Sequence, residues 1–223
     1  MATFEEQVEG LTGLTISASG TSPTQDELTQ FLKDGVVDVI NKMIEIAPSE
    51  TTKFTNSTSD SNDNGIAITG KAVSIVREHD SATILRPCTL ISAMDRYEAT
   101  TIESIRYRSK YNPGYFILDG KIHTVPASST GNNSVIVTQV FYPQSSYSDS
   151  SISNFPDEFE HLVVQYAAIK SLEAKMAEYT IDEEDMELAQ SIGLNLAAMS
   201  KAYDTAFVFK APKQQQAPPQ GGQ

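Results

Sequence analysis

The run from Pro156 to Lys170, PDEFEHLVVQYAAIK, constrains this chain more than any other. Pro156 suits a first helical turn, where its missing N–H leaves nothing unpaired, and Asp157 and Glu158 favour the positive end of a helix dipole. Phe159, Leu162, Val163, Tyr166 and Ile169 then recur at three- and four-residue steps, while Val164, Ala167 and Ala168 carry the apolar surface well round the cylinder. A helix of this kind is covered on most sides, either inside its own fold or against a neighbouring subunit. Phe159, Leu162, Val163 and Tyr166, with Leu196 on a later helix, are therefore the expected core or subunit-interface residues.

Other helices are marked at both ends of the chain. Thr24 and Glu27 have the spacing of a capping box, and Leu28, Phe31, Leu32, Val36, Val39, Ile40, Met43 and Ile44 follow at helical steps until Pro48, which predicts a helix over 23–48. Thr180 and Glu183 repeat the capping pattern ahead of Met186, Ala189, Ile192, Leu196, Met199 and Tyr203, so residues 146–210 are expected to supply the C-terminal helices after a Ser-rich linker. Residues 1–22 hold a short amphipathic piece, Phe4 to Leu11, broken by glycines, and read as a flexible arm; residues 211–223, rich in Pro and Gln, read as a disordered tail.

Between the helices, residues 49–145 read as a β-rich insertion. Ser49 to Asn64 is polar and loop-like, and β-branched residues then alternate through Ile66, Ile68, Val73, Ile75 and Val76. Gly114–Leu118, the pair Asp119-Gly120 and Lys121–Val125 spell strand, primed turn and strand, because Asp-Gly readily takes the positive φ angles such a turn needs. Ser134 to Tyr142 is a further strand, while Thr100 to Arg108 fits strand or helix. The fold class is α+β: a helical bundle formed by N- and C-terminal helices with an inserted antiparallel β-domain, built as one sheet or a small sandwich.

Composition narrows the functions. With 29 acidic against 16 basic residues, a net charge of −13, the chain is unsuited to a general grip on nucleic acid. Cys88 stands alone, so neither an intrachain disulfide nor a thiolate metal cluster can form within one copy. His79, His123 and His161 lie in three different elements without metal-ligand spacing, and no nucleophile elbow or phosphate loop accompanies His79-Asp80. Asp60 to Gly65 matches the first half of a calcium loop, but the position of its closing Glu is Lys71, which favours a polar turn. No catalytic, cofactor or metal site is therefore assigned. Arg106, Tyr107, Arg108, Lys110 and Tyr111 form the one basic and aromatic cluster, a candidate contact for phosphate or an acidic neighbouring subunit, or else a solvated strand edge. Neither a signal peptide nor a membrane-length apolar run is expected, which points to a soluble protein made in the cytoplasm.

The capped helix opening Pro23-Thr24-Gln25-Asp26-Glu27-Leu28, the β segment Tyr111-Asn112-Pro113-Gly114-Tyr115 running on to Val125-Pro126, and Pro156-Asp157-Glu158-Phe159 leading into Leu162 to Ala168 occur in an order that resembles the head-to-tail adaptor (connector) proteins of tailed bacteriophages. The likeness covers roughly residues 23–205. It implies a structural protein of the virion neck and not an enzyme: a homo-oligomeric ring, usually twelvefold, beneath the portal protein, contacting tail tube, nozzle or terminator proteins. Double-stranded DNA would pass through its channel without sequence-specific binding, and no membrane partner is implied. The alternatives are another neck or tail-completion protein, or a tail-associated β-sheet module that binds the host surface through Tyr97, Tyr107 and Tyr111.

Overall fold

The computed structural model describes residues 2–181 and 186–210. The expected disordered tail, 211–223, and the acidic residues 182–185 lie outside the described residues. The fold is α+β, with N- and C-terminal helices flanking a β-domain, and the chain divides into two compact units: Phe54–Tyr142, and the helical remainder.

The helical unit holds α1 (Phe4–Thr12), α2 (Gln25–Ile46), α3 (Asp157–Ile181) and α4 (Met186–Lys210). The capping box that opens α2 is complete: Thr24 accepts from the Glu27 N–H, and the Glu27 carboxylate accepts from the Thr24 N–H at 2.7 Å. Leu28, Leu32, Val36, Val39, Ile40 and Met43 form its buried stripe. α3 packs against α1, α2 and α4 together, which explains its apolar excess: Phe159, Leu162, Val163, Val164, Ala167, Ala168, Ile169 and Leu172 are all buried within one chain. Gly35 lets α2 approach closely, since a Cβ there would sit 3.2 Å from the Val163 carbonyl oxygen and 3.1 Å from Tyr166 Cδ1.

Two sequence expectations for this unit are corrected. Residues 1–22, expected as a flexible arm, contain α1, whose own capping box joins Thr3 and Glu6 and whose Phe4 and Val8 are buried. The Phe4 and Glu5 N–H groups donate to the Asp149 and Tyr147 carbonyls, so the Ser-rich linker is pinned to the N-terminal helix. Thr180 does not start the last helix; it lies inside α3, where its hydroxyl donates back to the Met176 carbonyl at 2.8 Å.

The β unit contains two four-stranded sheets. One has the order β1 (Thr55–Asp60), β8 (Val135–Val140), β3 (Ala72–Glu78), β4 (Leu85–Pro87); the other runs β2 (Ile66–Ala67), β7 (Lys121–Val125), β6 (Gly114–Leu118), β5 (Thr89–Leu90). Ile75, Val135 and Val137 of the first meet Ile66 and Ile122 of the second in one apolar core, so the arrangement is a sandwich. The expected hairpin is present as β6 and β7, with positive φ at both turn residues, 50° at Asp119 and 71° at Gly120. The insertion is not wholly antiparallel, because β5 pairs with β6 in parallel. β1 occupies a stretch expected to be loop. Its sequence, Thr-Asn-Ser-Thr-Ser-Asp, has no apolar alternation because it is an edge strand held by six backbone pairings to β8, with its side chains largely in solvent.

Candidate interaction surface

Between β4 and β6 the chain crosses the β unit through short 3-10 turns, Ala93–Arg96 and Glu98–Thr100, and an irregular stretch to Asn112. Ser92 caps the first turn by accepting from the Met94 N–H. The crossing is held down by backbone bonds: Arg108 N–H to the Ala99 carbonyl, Thr89 N–H to the Pro113 carbonyl and Ile91 N–H to the Tyr115 carbonyl. Beneath it Ala99 packs with Phe116 and Val125 in a small apolar cluster.

Several of its long apolar side chains reach solvent, alongside the exposed Glu98, Glu103 and Arg106. Met94 is 89% exposed, Ile102 74% and Tyr97 70%; Ile105 is fully exposed, and Leu85, Leu90 and Tyr111 also face water. Scattered apolar residues are ordinary on a protein surface, but a concentration of long apolar side chains on one crossing makes it a candidate contact surface. Beside it lies a cleft of about 300 Å³ lined by Leu90, Ile91, Asp95, Ala99, Arg106 and Arg108.

The basic cluster expected as a phosphate or subunit contact is largely occupied from within. Arg106 pairs with Asp95 and lies 3.7 Å from Glu98, and Lys110 Nζ is 2.6 Å from Asp80 Oδ2. The Lys110 hydrogen bond holds the Asp80 carboxyl below its usual range. Arg108 is half-buried, its Nε without a hydrogen-bond partner. Two of the three cations are thus neutralised by carboxylates, and the group is a poor free phosphate site.

The other sequence candidates are not brought together. Phe159, Leu162 and Val163, expected as core or interface residues, are core: a side chain buried in its own chain has no surface left to offer a neighbour. Tyr166 is half-buried, 6.1 Å from the Tyr203 ring, and Leu196 is half-buried on α4. Apolar side chains that reach solvent on the helical unit include Leu11 on α1, Val37 and Ile46 on α2, and Leu194 and Val208 on α4, where Ala198, Ala202 and Ala206 line a shallow groove. His79 lies tilted at 4.7 Å from Tyr111, His123 stacks on Phe116 at 5.4 Å, and His161 is on the exposed side of α3. Cys88 is half-buried, and burial pushes its thiol up to about 12. The Asp60 carboxylate accepts from the Asn62 and Gly65 N–H groups at 2.9 Å each, so the calcium-like half-motif is a turn closed by its own side chain. Among the described residues no group of three or more His, Cys, Asp or Glu is placed to hold a metal, and no helix is long and apolar enough to cross a membrane.

Sequence reasoning named Tyr97, Tyr107 and Tyr111 as surface aromatics but not Leu90, Met94 or Ile105 as their exposed companions. Leu90 lies on the short strand β5, whereas Met94 and Ile105 sit on turns, where periodicity does not say which side chains reach solvent. No protein-family model and no curated protein matches the sequence.

Proposed function

We propose that this chain is a structural, non-enzymatic subunit of a phage virion neck: a head-to-tail adaptor whose copies form a ring between portal and tail. The single observation that carries the assembly reading is the set of exposed apolar side chains on β4 and the crossing that follows it, residues 84–111, which a lone protomer leaves in water. The head-to-tail assignment rests on the order of sequence elements described above, and the α+β layout is the one that order implies. In this reading twelve copies surround a channel for double-stranded DNA. The acidic balance of the chain, and the pairing of Arg106 and Lys110 by carboxylates, suit a wall along which DNA slides without sticking.

The test is electron microscopy of the purified full chain, alone and mixed with a portal protein from the same genome. Rings, alone or stacked on portal, support the reading; a monomer that never associates with portal contradicts it. A second reading, a tail-associated module for the host surface, draws on the exposure of Tyr97, Tyr107 and Tyr111. Retention on host-cell glycans, lost in a Tyr97→Ala, Tyr111→Ala variant, would favour it.

A further inference from the structure

Charge is divided unevenly along this chain. The β unit, Phe54–Tyr142, carries eight acidic and eight basic residues, including all five arginines, whereas the helical unit carries 21 acidic against eight basic residues and so the entire net charge of −13. The apolar crossing lies on the neutral, arginine-bearing unit, and two arginines there pair with no carboxylate among the described residues. Arg86 is exposed on β4 and makes no ion pair among the described residues. Arg96 donates to neutral partners, the Ala93 carbonyl at 2.7 Å and the Tyr97 hydroxyl at 3.0 Å, with its guanidinium 4.4 Å from the centre of the Tyr97 ring. Met, Tyr and Arg set among aliphatic residues are the side chains that interfaces favour.

The complementary surface is the outer face of α2. Gln30, Asp34, Val37, Asn41 and Glu45 recur at four- and three-residue steps and are all exposed; Asp26 and Glu27 extend the acidic stripe at one end, and Ile46 ends it with an exposed apolar side chain. Val37 is 40% exposed at the middle of this face, so carboxylates flank an apolar centre there. The crossing offers apolar side chains beside Arg86 and Arg96, neither paired with a carboxylate among the described residues, and its exposed acids are Glu98 and Glu103.

We propose that residues 84–111 of one copy dock on the outer face of α2 of a second copy, Arg86 and Arg96 meeting the Asp34 and Glu45 carboxylates around Met94, Tyr97 and Ile105. The two patches differ, so the contact is head-to-tail, the kind that closes into a ring or continues as a filament. This inference rests on the assembly reading and specifies which faces meet.

Charge reversal on each side tests it. Arg86→Glu with Arg96→Glu, and separately Asp34→Lys with Glu45→Lys, are expected to weaken self-association at least tenfold in sedimentation velocity of the full chain, with portal present if the wild type needs it. Mixing the two variants restores assembly, because each supplies the face the other has reversed. Met94→Ser with Ile105→Ser weakens association without changing charge, and thermal melting checks that every variant is folded. If the wild type assembles while the reversals have no effect, or their mixture shows no rescue, the proposed contact is wrong and the assembly reading survives. If the folded wild type stays monomeric and ignores portal, both fall.

Discussion

The Tyr203 hydroxyl donates a 2.6 Å hydrogen bond to Asp38 Oδ2, tying α4 to α2 across 165 residues of sequence. Lys42 completes the junction, 3.2 Å from the same carboxylate oxygen and 4.4 Å from the centre of the Tyr203 ring. Tyr203 and its neighbour Phe207 are buried, their rings meeting edge to face at 5.0 Å. Tyr203→Phe keeps that packing and removes one hydrogen bond to a charged acceptor. The expected loss is about 1.5–3 kcal/mol, read from urea unfolding followed by helix circular dichroism.

The same contact sets an alkaline limit. Burial, reinforced by the hydrogen bond to Asp38, raises the Tyr203 hydroxyl well above its ordinary 10.0. The folded state therefore keeps the proton while the unfolded chain releases it. The stabilisation is complete below pH 10 and declines as pH rises beyond that value. The urea midpoint of the wild type should fall above pH 10 more steeply than that of Tyr203→Phe. Equal slopes would show that Tyr203 ionises freely in the fold.

Cys88 is expected to be inert. With its thiol pushed up to about 12 by burial, the thiolate is scarce near neutrality. Iodoacetamide at pH 8 should modify the native protein about a hundredfold more slowly, or slower still, than the urea-denatured chain, with mass spectrometry as the readout. Comparable rates would place the thiol in solvent.

Gly65 meets two demands at once. Its φ is +74°, and a Cβ there would lie 2.5 Å from His123 Cε1. Gly65→Ala should cost the β unit about 1–2 kcal/mol for the left-handed backbone and a further 1–3 kcal/mol, roughly, for overpacking. Adding His123→Ala should recover the packing part alone, which a double-mutant cycle measures.

Much of this architecture is legible in the residues, and the gaps have physical reasons. Thr24 and Glu27 announce α2, and Asp119-Gly120 announces the β6–β7 hairpin, because both signals are local. α1 is obscured by Gly10 and by Gly13, which closes the helix by donating its N–H to the Glu9 carbonyl. β1 has no signal beyond its backbone pairing. The apolar excess of α3 shows that neighbours exist without saying whose they are; they are α1, α2 and α4 of the same chain. The candidate interaction surface is half legible, since Tyr97 and Tyr111 stand out by type whereas Met94 and Ile105 stand out only by exposure.

Deleting residues 1–12 separates a packed helix from a mobile arm. Phe4 and Val8 are buried, and each contributes about 1.5–3 kcal/mol on burial. The truncated protein should unfold at clearly lower urea. An unchanged midpoint would mean that α1 adds nothing to the helical unit.

Assembly through the surfaces that a single copy leaves exposed, as proposed, can be read from sedimentation velocity of the full chain over rising concentration, alone and with a portal protein from the same genome. A discrete closed oligomer or a portal-bound ring is the expected result; a single protomer species under every condition would rule the proposal out.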